Sequence, residues 1–165
     1  MSASDEVRVL LADARARLAS APREALGVAR ESRRILGFAR GPRIVPDGGA
    51  WHLGVLLLTD DGVLETGEIV RAREPVPRGY TAQAQRERAE RAEAAFRGGF
   101  PEGMPVHVGW QPIDLSALDR GEGAGPLAVV GRVPAVRWSR AAGFTPLAAY
   151  LDERIQLAIA PPQGA

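Results

Sequence analysis

Apolar residues recur every three or four positions over residues 5–19. Val7, Leu10, Leu11, Ala14 and Leu18 form one stripe, with Arg8, Asp13, Arg15 and Arg17 off it. This periodicity predicts an amphipathic helix. Ser4 is placed to cap it, and Asp5 and Glu6 suit its first turn. Pro22 can open a second helix that runs to about Leu36 and ends at Gly37, on the weaker stripe Leu26, Ala29, Arg33 and Leu36. After the punctuation of Gly41, Pro42, Pro46, Gly48 and Gly49, with a short strand predicted at 43–45, the pattern changes. Trp51–Thr59 is an almost unbroken apolar run, Asp60-Asp61-Gly62 reads as a turn, and Val63–Arg73 is β-rich. Two such runs around a turn predict a hairpin, central and covered on both faces. A three-residue loop pairs Thr59 with Val63 and sets His52 beside Leu64, Thr66 and Glu68; a two-residue loop puts it opposite Arg71 instead.

Pro75 and Pro77 stop that strand, and Thr81 is placed to cap a charged helix over about 82–97. Within it, Glu87–Arg91 and Glu93–Arg97 are correctly oriented pairs, and Gly98-Gly99 ends it. Met104–Gly109 alternates as a strand, with Val106 and Val108 on one face and His107 on the other. Residues 111–125 read as a loop with a short helical turn near 115–118. Leu127–Val130 and Val133–Trp138 flank Gly131-Arg132 as a second hairpin with a type II′ turn, and Pro134 makes its strand an edge or a bulge. Thr145-Pro146 opens a last helix with Leu147, Leu151, Ile155 and Ala158 inward. This order predicts an α+β fold: one domain over 1–165, with a helical pair at about 5–36 and a sheet with helices at about 43–160. The sheet is antiparallel or mixed, built on two hairpins with helices packed against it.

Composition narrows the chemistry. The 165 residues are 45% hydrophobic and 25% charged, the usage of a globular chain. Cysteine is absent, which removes disulfides, thiolate nucleophiles and Cys-ligated metals. Lysine is absent too: all 21 cations are arginine, so no Schiff base, Ser–Lys dyad or P-loop lysine can form. The 20 acids nearly balance them, and the net charge of +1 does not suggest nucleic acid as a partner. No apolar run approaches the ~20 residues of a membrane span. No apolar stretch of the secretory type follows Met1–Arg8. A cytoplasmic chain is expected.

Three sets of residues carry possible chemistry. His52 and His107 are the only histidines, each in a predicted strand near a tryptophan. If the strands are neighbours, the imidazoles converge beside Glu68 or Asp114, as a general base with an orienting acid or a two-His, one-carboxylate metal site. The plainer alternative is two hydrogen-bonded sheet residues, and no metal or cofactor is expected. Arg71, Arg73 and Arg78 leave one strand, and Arg137 and Arg140 leave another. Clustered guanidinium groups at sheet ends can grip a carboxylate or phosphate, and Trp51, Trp110 and Trp138 can line such a pocket. The plainer alternatives are surface ion pairs and core tryptophans. Ser139 has no His nearby in sequence to activate it. The glycine run Gly121-Glu122-Gly123-Ala124-Gly125-Pro126 does not open a helix after a strand.

Ile44-Val45-Pro46, Trp51-His52-Leu53-Gly54-Val55-Leu56-Leu57, Gly67-Glu68-Ile69-Val70-Arg71-Ala72 and Val136-Arg137-Trp138-Ser139 resemble a family of small uncharacterised proteins from high-GC actinobacteria. Such proteins sometimes carry an automatic glutaminase name. The resemblance covers nearly the whole chain and is tied to no known chemistry. Serine-dependent glutaminases need a Ser-x-x-Lys and the amidotransferase type needs a cysteine; neither exists here. The expectation is therefore a non-catalytic protein that binds a small anion or a protein partner through the Arg-rich sheet end and the tryptophans. The alternatives are a small-substrate hydrolase, glutaminase-like but with a different nucleophile, using His52 or His107 with Glu68 or Asp114, and a homodimer built through the last helix.

Overall fold

The computed structural model describes residues 1–31, 34–35, 38–39, 41–77 and 82–161. The elements in chain order are α1 (Ala3–Arg17), β1 (Glu24–Arg30), β2 (Arg34–Ile35), β3 (Phe38–Ala39), β4 (Arg43–Leu53), β5 (Leu56–Leu58), β6 (Val63–Glu65) and β7 (Glu68–Arg71). Then come α2 (Gln83–Arg97), β8 (Pro105–Val108), β9 (Gln111–Pro112), α3 (Ser116–Asp119), β10 (Leu127–Val130), β11 (Val133–Val136), β12 (Thr145–Pro146) and α4 (Leu147–Ile159). The fold is α+β, with mixed and antiparallel sheets and helices packed on them. The chain clusters into two compact units, one of Met1–Arg23, Ala50–Thr66 and Gln111–Ala165, the other of Glu24–Gly49 and Gly67–Trp110. Among the described residues no helix is long and apolar enough to cross a membrane.

The first unit is built on α1, α3, α4, the end of β4, and strands β5, β6, β9 and β10–β12. Val7, Leu11, Ala14 and Leu18 of the predicted stripe are buried, each larger side chain contributing roughly 1.5–3 kcal/mol. The cap is Ser2, through a capping box with Asp5, rather than Ser4. Ser4 is taken up elsewhere: its backbone N–H and hydroxyl both donate to the Asp119 carboxylate, at 2.8 and 2.6 Å, tying α1 to α3. Those bonds hold the Asp119 carboxyl below its ordinary range. A depressed folded value means that their stabilisation is complete above the ordinary carboxyl range and is lost as pH falls through the folded value. Asp119→Asn should therefore lower the urea midpoint at neutral pH, and the gap to the wild type should narrow as pH falls below about 4. A gap that does not narrow at all between neutral pH and about pH 2 would refute this.

The run from Trp51 turns earlier than the sequence suggested. A two-residue turn at Gly54-Val55 pairs Trp51 with Leu58 and Leu53 with Leu56. Gly54 alone of that pair has a positive φ, +69°, which is the type II′ pattern. The Asp60–Gly62 turn exists, but it pairs Leu58 with Val63 rather than Thr59 with Val63, and Thr59 N–H closes the loop on Gly62 O at 3.1 Å. Leu56, Leu57 and Leu58 are all buried, which is why the run shows no alternation. The predicted second arm is divided, β6 in the first unit and β7 in the second.

The second predicted hairpin forms as β10–β11, but Gly131 and Arg132 both have positive φ, so the turn is type I′ rather than II′. β11 is the middle strand of three. Pro134 is tolerated because β12 reaches only Ala135 and Val136. Thr145-Pro146 pairs as β12, and α4 starts at Leu147 with Leu147, Tyr150, Leu151 and Ile155 buried.

In the second unit the strand order is β7-β8-β1-β4, with α2 packed on β7. β8 is antiparallel to β7 and parallel to β1. The helix expected from Pro22 to about Leu36 is not formed: β1 and β2 occupy that stretch. Tertiary pairing overrides a weak helical stripe, and Gly27 shows why. A Cβ there would lie 2.5 Å from Ile44 Cγ2 and 2.7 Å from Val106 Cγ1, so only glycine admits these neighbours. The predicted strand at 43–45 runs on to Leu53. Ile44, Val70, Ala94, Ala95, Phe100, Val106 and Val108 form the unit's core. The expected cap Thr81, and Arg78, Gly37 and Leu36, lie outside the described residues.

Candidate functional site

The second unit carries a groove of about 440 Å³ between β7 and α2. Arg71 and Arg73 reach it from the strand and its exit, and Arg88 and Arg91 from the helix, with Gln85 and Ile69 beside them. Local structure fixes the spacing. Ala89 and Ala92 turn toward the groove, and small side chains let the helix lie close to the strand. The Arg73 backbone N–H donates to Ala92 O at 3.0 Å, pinning the strand exit to the helix. Arg71 sends one N–H to Gly103 O at 3.3 Å. The one carboxylate in the lining, Glu68, is engaged by Arg91, with Nε 2.6 Å from Oε1. The expected Glu87–Arg91 pair does not form; Glu87 accepts from Gln83 instead, at 3.2 Å. Arg97 does lie 3.8 Å from Glu93 as expected. Among the described residues, Arg73 and Arg88 are in no ion pair.

Arg137 and Arg140, expected with Arg71 and Arg73 in one cluster, belong to the other unit. They line a separate cleft there. The tryptophans line neither cavity. Trp51 is buried; its indole N–H donates to Ala21 O at 3.1 Å, and the Arg23 guanidinium sits 4.0 Å over its ring. Arg23 in turn grips Asp60 with two bonds, at 2.9 and 2.5 Å, and that guanidinium draws the Asp60 carboxyl below its usual range. Trp110 donates to Gly27 O at 3.2 Å. Trp138 is half exposed.

The histidines sit as follows. His107 is 1% exposed in β8, and its Nε2–H donates to the Glu24 carboxylate of β1 at 2.5 Å. Register explains the contact: Leu26 is opposite His107, so Glu24, two residues earlier, is its diagonal neighbour on the same face. Glu68 is opposite Val108 and thus faces away from His107. Asp114 is occupied in a local turn, accepting from Ser116 Oγ–H and N–H at 2.7 and 3.0 Å, and those bonds lower its carboxyl pKa. His52, opposite Leu57 in β4, has Nε2 2.9 Å from Gly54 O, a bond in which the carbonyl can only accept. Glu24 was missed because its segment reads as helix. The one clue was Gly27, a poor helix residue inside Ala25–Val28. Chemically, a buried imidazole on a part-exposed carboxylate can hold or pass a proton, but neither residue lines the two cavities described above.

No family model, curated protein or solved structure matches the chain.

Proposed function

We propose that this protein binds a small, multiply charged oxyanion in the groove between β7 and α2. The observation that carries the reading is a charge imbalance: four guanidinium groups line one concave surface with a single carboxylate, and that carboxylate is already engaged. Guanidinium forks match phosphate and carboxylate oxygens in pairs, and Arg73 and Arg88 have donors to offer. Phosphate esters and di- or tricarboxylates share this chemistry. Titration calorimetry with pyrophosphate and with citrate, at matched ionic strength, separates them. One site is expected, and Arg73→Gln or Arg88→Gln should each weaken it by roughly tenfold or more, the worth of a charge-assisted bond. No heat beyond a sodium chloride control, or variants that bind as the wild type does, would end the proposal.

The Glu24–His107 contact favours a second reading, an amide hydrolase with His107 as base and Glu24 as its orienting acid. It ranks behind because neither residue reaches the groove. Ammonia release from glutamine, abolished by His107→Gln, would promote it; a background-level rate in the wild type would remove it. Membership of the actinobacterial family is proposed on the residues quoted for it above, and a homodimer built through the last helix stands as an alternative to this reading. We also place the chain in the cytoplasm, since a chain without cysteine needs no oxidising compartment to fold.

A further inference from the structure

The first unit holds a cleft of about 440 Å³ that the anion reading does not use. Its lining carries charge of both signs, Glu65 against Arg137 and Arg140, with Ser139, Phe144 and the glycine segment around Gly125. Among the described residues none of these three charges is in an ion pair. Glu65 ends β6, and its carboxylate lies over Gly125, where an added Cβ would meet Oε2 at 3.0 Å. Gly125 has φ +56°, and Ala124 and Leu127 lock the loop by exchanging backbone bonds at 2.9 and 3.0 Å. The Arg137 backbone N–H donates to Pro126 O at 2.8 Å, and its guanidinium stacks 4.5 Å from the Phe144 ring centroid. Ser139 Oγ accepts from Ala142 N–H at 3.0 Å, which leaves its own hydrogen to donate.

From this arrangement we infer a second ligand site, for a small zwitterion with a free ammonium and a free carboxylate, the chemistry of an α-amino acid. The ammonium goes to Glu65 and the carboxylate to Arg137, Arg140 and the Ser139 hydroxyl. Val55, Leu127 and Ala128 supply an apolar wall for the remainder. The volume suits a ligand of that class. A purely anionic ligand would meet the Glu65 carboxylate, and a purely cationic one would meet two guanidinium groups. The glycine run needs no nucleotide to explain it: of its two positive-φ residues, Gly125 lets the chain pass beneath a carboxylate.

The test is a thermal-shift screen of the full chain against the free α-amino acids, followed by calorimetry on those that raise the melting temperature. Each binder is then compared with its N-acetyl derivative, which lacks the ammonium, and its methyl ester, which lacks the carboxylate. Both derivatives should bind at least tenfold more weakly. Glu65→Gln should abolish the preference for the free amine, and Arg137→Gln the preference for the free acid, with folding checked by circular dichroism. Arg73→Gln should leave this binding unchanged, which separates it from the anion groove. No amino acid raising the melting temperature at 10 mM, on the order of the weakest affinity worth calling a site, would overturn the inference. So would derivatives that bind equally well.

Discussion

Alanine at Gly98 is expected to cost on the order of 4 kcal/mol or more, enough to leave the second unit unfolded. Gly98 is the C-cap of α2 with φ −76° and ψ −10°, a conformation open to any residue. The need for glycine is purely steric. An added Cβ would fall inside the van der Waals radius of Ile44 O, and the Ile44 carbonyl carbon and Val45 nitrogen crowd it as well. All three are backbone atoms of β4, so nothing can swing aside, and helix and strand must separate. That separation strips Ala94, Ala95 and Phe100 from Ile44 and Val106 in the unit's core. Gly99 provides the internal control. Its φ is +109° with nothing within 4 Å of an added Cβ, so Gly99→Ala pays only the conformational cost, about 1–2 kcal/mol. Urea unfolding followed by far-UV circular dichroism measures both. A Gly98→Ala variant no less stable than Gly99→Ala would show that α2 and β4 do not approach as described.

The second large effect is expected at the turn between β4 and β5. Tyr150 of α4 clamps that turn, donating to Leu53 O at 2.8 Å and accepting from Val55 N–H at 2.9 Å. Gly54 lies under the hydroxyl with φ +69°, and Arg154 Nε would stand 3.1 Å from its added Cβ. Gly54→Ala therefore combines left-handed strain with displacement of the Tyr150 hydroxyl, for a total of about 3 kcal/mol. Tyr150→Phe alone should cost about 1–3 kcal/mol, because it removes the hydroxyl that bridges the part-buried Val55 N–H and the buried Leu53 C=O. The two effects share one contact, so they should not add. In the Tyr150→Phe background the alanine should cost about 1 kcal/mol less than in the wild type. Strict additivity in the double-mutant cycle would mean that the hydroxyl and the glycine are not coupled.

Where the hydrophobic pattern spoke for a single face, it was a good guide. The α1 and α4 stripes lie where periodicity puts them because each buries one face, and β8 and the β10–β11 hairpin lie where their bounding turn residues put them, although β8 is buried on both faces. It misled where burial is two-sided or where pairing is distant. Leu53–Leu58 carries no alternation to mark the turn at Gly54-Val55. The stretch from Glu24 looks helical until β8 is laid parallel beside it, and that pairing joins residues more than eighty positions apart. Glu24 is invisible as the partner of His107 for that reason.

The sequence by itself determined the class of fold and the chemistry that is closed to this protein, because helix and strand periods and missing side-chain types are properties of the chain alone. Only the tertiary structure decided which charges meet. Arg71 and Arg73 join Arg88 and Arg91 rather than Arg137 and Arg140, and Glu65 faces the second cleft. Side-chain encounters of this kind follow from strand register and helix placement, where a shift of one residue reverses every face, and no local pattern encodes that choice.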